Sequence, residues 1–371
     1  MNQGSPQAAE RSHMQRALHL ALNGLYTTDP NPRVGCVLVQ GAVVVGEGWH
    51  ARAGEPHAEV LALRAADSRA AGATAYVTLE PCNHTGRTPP CADALIAAGI
   101  ARVVCSTLDP NPRVSGAGAS RLRAAGIPVS VGLLADQARA LNPGFFSRFE
   151  RARPFVRLKM AMSLDARTAP AGGAKEWITG AAARADVQIL RARSSAILTG
   201  AGTVRADNPR LNVRLKLGVS GAWVRQPLRV VLDPQLCCDL RSVIFQAPGA
   251  LVFASPDAPA AQDATAVRVE RVPLGAGGLD LTAVLSKLNA LEVNELLVEC
   301  GPRLGGAFLE AELVDEWILY MAPSLLGCDA APLTRLSGLQ AHLPAFEFQE
   351  VRRVGDDLRL VLKPVNKLIE K

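Results

Sequence analysis

The sequence predicts an α/β protein of two domains, and three observations lead there. The chain has 371 residues, more than a single hydrophobic core serves efficiently. Short Val/Leu-rich runs alternate with segments of helical apolar spacing along its length, the pattern of sheets layered with helices. Around Asn142–Pro154 the alternation breaks into an Arg-rich stretch containing Pro and Gly, and a new strand begins at Phe155. The boundary is placed there, giving domains over 12–152 and 153–371.

In the first domain, Met14, Ala17, Leu18, Ala21, Leu22 and Leu25 recur at steps of three and four and make Ser12–Tyr26 an amphipathic helix. Gly35–Val39 and Val43–Trp49 are short strands about a Gln40-Gly41 turn. Helical spacing returns over His57–Ala70, a strand follows at Ala75–Leu79, and Cys91–Ala98 is a helix stopped by Gly99. Arg102–Leu108 is a strand, Ser120–Ala125 a helix closed by Gly126, and Pro128–Val131 a strand. The second domain runs strand Phe155–Met160, helix Ala181–Arg193, strand Ala196–Thr199, a polar loop, and strands Leu228–Leu232 and Leu251–Ala254. Helix Leu281–Leu291, strand Glu295–Val298, helix Arg303–Glu312 and strands from Glu316 onward complete it.

Composition narrows the class. Hydrophobic residues make up 49%, yet no apolar run approaches the ~20 residues that cross a bilayer. Met1–Glu10 is polar and lacks the basic-then-apolar layout of an export signal, so a soluble, cytoplasmic protein is expected. The net charge of +6 comes from 33 Arg and seven Lys scattered among acids, and aromatics are only 4%. This argues against a nucleic-acid surface and for small phosphorylated anions, or simple solvation. Eight cysteines are too few for a disulfide scaffold in a chain this long. Cys36, Cys105 and Cys300 lie in Val/Leu-rich runs and read as small buried hydrophobes, whereas the adjacent Cys237 and Cys238 have no such context.

The strongest chemical signal is His57-Ala58-Glu59 followed by Pro81-Cys82-Asn83-His84-Thr85-Gly86-Arg87-Thr88-Pro89-Pro90-Cys91. One imidazole and two thiolates suit Zn²⁺, and three protein ligands leave a fourth tetrahedral position open for water. Attack on an aminated carbon also needs a group to carry protons from water to the leaving amine, and Glu59 fits that role. Zinc deaminases carry this His-x-Glu and Pro-Cys pattern, with two residues between the cysteines in the nucleobase editors; here eight separate Cys82 from Cys91. The alternatives are a closed structural zinc site with His84 or Cys36 as fourth ligand, or ordinary core and loop residues.

These residues, and the long insert Asn-His-Thr-Gly-Arg-Thr-Pro-Pro, resemble the bifunctional riboflavin-biosynthesis deaminase-reductase family over Met14 to Lys363. The resemblance implies a cytidine-deaminase-like three-layer domain followed by a dihydrofolate-reductase-like α/β domain. It implies two consecutive steps on a phosphoribosylated pyrimidine: hydrolytic loss of the 2-amino group of the diaminopyrimidinone, then NADPH reduction of the ribosyl group to ribityl. The first pocket would include Asn31, His50, Arg87, Asp109 and Asn111, with Arg87 able to hold a phosphate in bidentate fashion. Asn31 and Asn111 each precede a proline, so a turn-forming role is their alternative.

In the second domain the resemblance points to Lys159, Asp207 and Glu299 as the catalytic set, to substrate contacts at Lys175, Arg191, Leu211, Arg214 and Glu299, and to cofactor contacts at Ala161, Trp177, Thr203 and Asp207. Glu299 precedes Cys300 and the run Gly301, Pro302, Arg303, Leu304, Gly305, Gly306 and Ala307. Strand, glycine turn and helix make a phosphate cradle, although glycines also serve merely as turns. A closed ribosylamine has no electrophilic double bond, so its ring must open to an imine, which demands proton transfer by such ionisable groups. Their rival role is a structural ion pair. Lys175 and Ala166 depart from the family pattern, the latter replacing a usual glycine. The partners expected are the phosphoribosylated pyrimidine and, at most, further copies in a homo-oligomer; neither nucleic acid nor membrane is expected. A nucleic-acid base deaminase is the competing function, and a reductase with a purely structural zinc domain is a third.

Overall fold

The computed structural model describes residues 6–83, 90–171, 177–215, 224–246, 250–260, 267–336 and 345–365. Its internal contacts divide the chain into Met1–Ala152 and Arg153–Lys371.

The first unit runs α1 (Pro6–Ala21), β1 (Gly35–Gln40), β2 (Val43–Trp49), α2 (Ala58–Ala66), β3 (Thr74–Val77), α3 (Cys91–Ala97), β4 (Arg102–Cys105), α4 (Ala117–Ala124), β5 (Val129–Val131), α5 (Ala135–Leu141) and α6 (Pro143–Glu150). The sheet order is β2-β1-β3-β4-β5. β1 is antiparallel to β2 and β3, and β3, β4 and β5 are parallel. Successive strand residues alternate between two cores, Cys36, Leu38, Ala75, Val77 and Val103 facing one and Val37, Val39, Tyr76 and Val104 the other.

Glycines on the strands let the helices lie unusually close. A Cβ on Gly35 would sit 1.9 Å from the Ala17 carbonyl oxygen, one on Gly46 2.2 Å from that of Ala62, and one on Gly48 2.4 Å from that of Ala58. The facing helix positions Ala17, Ala21, Ala58, Ala62 and Ala66 are fully buried. Only small residues on both sides permit this approach.

The stretch Asn142–Pro154, read from sequence as a break, contains α6. Its Pro and Gly imitate a linker, but Pro143 starts the helix, where a missing N–H costs nothing. Phe145 and Phe146 are buried in the first core, with Phe149 packed against it. Asn142 is buried and clamps the Arg33 backbone, its Oδ1 accepting the Arg33 N–H at 2.8 Å and its Nδ2 donating to the Arg33 carbonyl at 2.9 Å. The helix expected over Ser12–Tyr26 begins earlier, at Pro6, and that expected over His57–Ala70 ends at Ala66 before a single turn, Asp67–Ala70.

The second unit contains β6 (Phe155–Met162), β7 (Arg167–Ala169), α7 (Ala181–Arg193), β8 (Ala196–Gly200), α8 (Ala201–Asp207), β9 (Leu228–Leu232), β10 (Ala250–Ala254) and β11 (Arg268–Arg271). It continues through the ribbon β12 (Leu274–Gly275) and β13 (Gly278–Leu279), α9 (Leu281–Ala290), β14 (Glu295–Glu299), α10 (Pro302–Glu310), β15 (Glu316–Met321), β16 (Ala331–Pro332), β17 (Phe346–Val354) and β18 (Asp357–Pro364). The main sheet has the order β11-β10-β9-β8-β14-β6-β15-β18-β17. It is parallel from β11 to β15, and the β15-β18-β17 end is antiparallel. Its central strands β8, β9, β10 and β14 are buried on both faces and read as apolar runs. Near the amino ends of β6 and β14, the buried Arg157 pairs with Glu295 and, at 2.7 Å, with Glu316. The polar loop expected after β8 holds α8.

Ala166, the departure from a usual glycine, has φ +56° in the turn after β6, with its N–H donated to the Ser163 carbonyl. A left-handed conformation costs an L-residue about 1–2 kcal/mol, while glycine carries an entropic cost of about 0.5–1 kcal/mol. Ala166→Gly is therefore expected to stabilise the second unit by about 0.5 kcal/mol or more, read as a raised urea midpoint at unchanged m-value. A lowered midpoint contradicts this.

Candidate functional site

In the first unit, His57 caps the start of α2, Cys82 follows the chain leaving β3, and Cys91 opens α3. The His57 Nδ1 lies 3.2 Å from Cys91 Sγ and 3.6 Å from Cys82 Sγ. All three ligand atoms fall within 4.8 Å of one another. Such separations are the edges of a small tetrahedron with bonds of about 2.0–2.3 Å, and the soft donor set fits zinc. Cys36 is not among the residues of this cluster; His84 lies outside the described residues. The Cys91 N–H points at Cys82 Sγ from 3.4 Å, so the free amide at the start of α3 favours a thiolate. The Cys82 thiol is held at about 4, first by the hydrogen bond from Cys91 and, against its burial, by that with His57.

Glu59 stands in the first turn of α2, only 3% exposed. Burial, followed by the Cys82 charge, pushes its carboxyl up to about 7. A carboxyl poised there can both take and return a proton near neutral pH.

The polar residues expected around this centre form two groups. Asn31 Nδ2 lies 3.0 Å from His50 Nε2, and His50 Nδ1 lies 3.2 Å from the Pro56 carbonyl. With Nδ1 donating to Pro56, Nε2 accepts from the amide, and burial lowers the His50 pKa, so the ring stays neutral. His50 also packs edge-on to His57, their centroids 5.2 Å apart. Asp109 is buried and its Oδ1 accepts the Asn111 N–H at 2.8 Å. Burial, opposed by that hydrogen bond and aided by Glu80 and Cys82, brings the Asp109 carboxyl up to about 6. The Asn111 Oδ1 accepts the Arg113 N–H at 3.1 Å, the turn-forming use of this side chain. Arg87 lies outside the described residues.

Glu80 was missed in the sequence. It is 3% exposed, and its carboxylate accepts the N–H groups of Asp109 at 3.2 Å, Gly116 at 2.9 Å and Ala119 at 3.0 Å. It thus ties the segment carrying Cys82 to the Asp109 loop and to the start of α4, where a Cβ on Gly118 would fall 1.8 Å from the Pro81 carbonyl oxygen. The signal was present as Glu80-Pro81-Cys82, an acid directly after an apolar strand.

In the second unit a cleft of about 1730 Å³ opens at the carboxyl ends of β6, β8, β9 and β14, where ligands bind in open α/β sheets. Lys159, Ala161, Trp177, Arg191, Thr203, Asp207, Leu211, Arg214 and Glu299 line it. Glu299 receives both Nε and Nη2 of Arg191, at 2.6 and 2.9 Å, and Lys159 Nζ at 3.2 Å. Burial alone would raise its carboxyl, but Lys159 and then Arg191 overcome this and hold it at about 2. Asp207, at the end of α8, shares the cleft but makes no ion pair among the described residues. Arg214 is destabilised as a cation by burial and by Arg191 and Arg210 beside it, a concentration of positive charge that suits a phosphate.

Of the run after Cys300, Gly301, Pro302, Arg303, Leu304 and Ala307 line the cleft. Nothing lies within 4 Å of where a Gly301 Cβ would be, so its backbone faces open space at the start of α10. At Gly305 and Gly306 added Cβ atoms would meet Met160 Sδ at 3.1 Å and the Arg335 carbonyl oxygen at 1.9 Å, so both positions are packed closely. The open backbone and helix start fit a dinucleotide pyrophosphate. Lys175 lies outside the described residues. Cys36 and Cys105 are fully buried, and Cys300 is half-buried against the core.

Comparison with known proteins accounts for both units. Residues 7–107 match the family described as the cytidine and deoxycytidylate deaminase zinc-binding region, and residues 154–360 match the RibD C-terminal domain. The chain is 51% identical to the riboflavin biosynthesis protein RibD of Escherichia coli, covering 94% of this chain and 98% of that one. The structure of Acinetobacter baumannii RibD superposes with a TM-score of 0.90 at 43% identity, covering 97% of this chain and 99% of that one. A deaminase/reductase from Thermotoga maritima gives a TM-score of 0.84 at 33% identity over 97% of this chain and 99% of that one. The chain belongs to the RibD family, with a cytidine-deaminase-like zinc domain ahead of a RibD reductase domain.

Proposed function

We propose that this chain is a bifunctional enzyme of riboflavin biosynthesis, with residues 12–152 as a zinc-dependent deaminase and 153–371 as an NADPH-dependent reductase. The substrate is a diaminopyrimidine carrying a phosphoribosylamino group, as the name of the Thermotoga maritima relative states for that protein: diaminohydroxyphosphoribosylaminopyrimidine deaminase and 5-amino-6-(5-phosphoribosylamino)uracil reductase. The observation that carries the reading is the buried Glu59 beside a converging His57, Cys82 and Cys91. The enzyme is placed in the cytoplasm with a small phosphorylated partner rather than nucleic acid or membrane. No helix among the described residues is long and apolar enough to cross a membrane.

In the deaminase half, His57, Cys82 and Cys91 hold zinc, which when bound supplies Lewis acidity to the water nucleophile. Glu59 takes a proton from that water and returns one to the departing amine, so that water and the C–NH₂ group become C=O and ammonia. The Asn31–His50 pair and Asp109 present acceptors and donors to the edge of the ring. Arg87 is assigned to the phosphate.

In the reductase half, bound NADPH would supply hydride for the anomeric carbon of the ring-opened imine, while the imine nitrogen takes up a proton from water. Glu299, held ionised by Lys159 and Arg191, acts as an acceptor for sugar hydroxyls. Asp207, in the same cleft and without an ion pair among the described residues, is assigned to proton movement during ring opening, and Lys159 to holding Glu299 and the sugar in place. Arg191 and Arg214, with Leu211, form the substrate side. Gly301 and the start of α10 take the pyrophosphate, beside Ala161, Trp177 and Thr203.

Glu59→Gln is expected to keep its zinc and lose deamination by about 100-fold or more, measured as ammonia release beside metal content. Cys82→Ser or Cys91→Ser loses zinc and stability together, because metal binding is coupled to folding. Substantial ammonia release by Glu59→Gln would remove the glutamate from the mechanism. Ammonia release from an oligonucleotide, and none from the ribosylaminopyrimidine phosphate, would favour a nucleic-acid deaminase.

For the reductase, Asp207→Asn is expected to bind NADPH nearly as wild type does and to oxidise it about 10-fold or more slowly with saturating deaminated substrate in stopped flow. Lys159→Met slows the same step. Unchanged rates in both would reduce these residues to structural roles.

A further inference from the structure

NADPH and NADH differ by one phosphate on the adenosine ribose, so choosing between them requires a cation where that phosphate falls. Strand order locates the place. Across the cleft the parallel strands run β9-β8-β14-β6. Lys159 and Ala161 on β6 and Glu299 on β14 mark the reacting end, and Gly301 follows β14 after Cys300. A dinucleotide with its pyrophosphate at the start of α10 and its nicotinamide toward β6 would have its adenosine on the other side, toward β8 and β9. Neighbouring strands are about 4.8 Å apart, so β9 stands about 10 Å from β14, the scale of a ribose and its phosphate.

Arg205 occupies that ground. It projects from α8, which follows β8, and lines the cleft. Its Nη1 lies 3.3 Å from Cys237 Sγ, in the loop after β9, so the guanidinium bridges the two strand ends. Among the described residues it has no carboxylate partner, whereas Arg191 is committed to Glu299 and Arg214 Nη1 donates to Asn212 Oδ1 at 2.7 Å. Arg303 stands at the start of α10, and Arg210 lies close enough to Arg214 to act on its charge.

Asp233 directly follows β9, lines the cleft and is buried. An acid at such a strand end can accept ribose hydroxyls and so favour the cofactor without the phosphate. Here the carboxylate is turned into its own loop, accepting the Cys238 N–H at 2.8 Å and the Cys237 thiol at 3.2 Å. The Cys237-Cys238 pair thus occupies the acid and places a soft neighbour under Arg205.

Resting on the cofactor reading above, we propose that Arg205 is the specificity-determining residue for NADPH over NADH, pairing with the 2′-phosphate while Cys237 and Cys238 keep Asp233 from competing for the ribose. Guanidinium–phosphate pairs are bidentate and charge-assisted, so the contact discriminates strongly.

The test uses the full chain and calorimetry with two probes, 2′-phosphoadenosine 5′-phosphate and AMP, on wild type, Arg205→Leu and Arg205→Lys. Steady-state reduction with NADPH and NADH accompanies it. Arg205→Leu is expected to weaken the 2′-phosphate probe about tenfold or more and leave AMP unchanged, which also shows the site intact. Its kcat/KM preference for NADPH falls by a similar factor through KM, with Arg205→Lys intermediate. Binding of the 2′-phosphate probe by Arg205→Leu at wild-type strength overturns the proposal, as does a wild type that binds it no better than AMP. A wild type that binds neither probe and oxidises neither cofactor overturns the cofactor reading and the proposal with it.

Discussion

The close approach of α2 to the first sheet is the constraint on which the deaminase centre depends. Gly46 and Gly48 face the backbone of Ala58 and Ala62 at separations no side chain could enter. His57 and Glu59 bracket Ala58, the residue whose carbonyl lies against Gly48. The helix axis, the imidazole and the carboxyl are therefore placed by a single packed surface. Glu80 and Gly118 do the same for Cys82 from the other side, through three backbone N–H groups and one carbonyl contact. Each functional side chain thus rests on a backbone that has no room to shift, as a preorganised site needs.

The second unit divides its charges between the two ends of one sheet. Toward the amino ends, Arg157, Glu295 and Glu316 form a buried ion cluster. Toward the carboxyl ends, Lys159, Arg191 and Glu299 form another, but this one opens into the cleft. Arg157 and Lys159, two apart on β6, share one face of the sheet, and in the parallel register Glu295 and Glu299 on β14 share it too. Similar ion-pair chemistry is therefore sealed in the core at one end and open to the cleft at the other, and the difference is access.

Sequence made the zinc centre legible because its ligands sit in two short motifs whose residue types have few other joint uses. The strands were legible because they are buried on both faces or alternate regularly. What escaped detection depended on contacts distant in sequence. Helix α6 was hidden because Asn142, Pro143 and Gly144 have the composition of a linker, and the partner that gives Asn142 its role, Arg33, lies 109 residues away. Gly305 and Gly306 matched a phosphate run by spacing, yet face Met160 and Arg335. Arg205 was one of 33 arginines, and its position over the end of β9 emerges only from strand order. Cys237 and Cys238 lacked context until Asp233 was seen to accept from both.

In the proposed function, zinc-site hydrolysis and cofactor reduction are separate chemistries acting in order on one substrate. Mass spectrometry of the product formed from the diaminopyrimidine phosphoribosylamine, with and without NADPH, tests it most directly. Without NADPH the account predicts a product in which an amino group has been replaced by oxygen and the sugar is unchanged; with NADPH that product additionally gains two hydrogens. A reduced product that retains its amino group, or no reaction at all until NADPH is added, would contradict it.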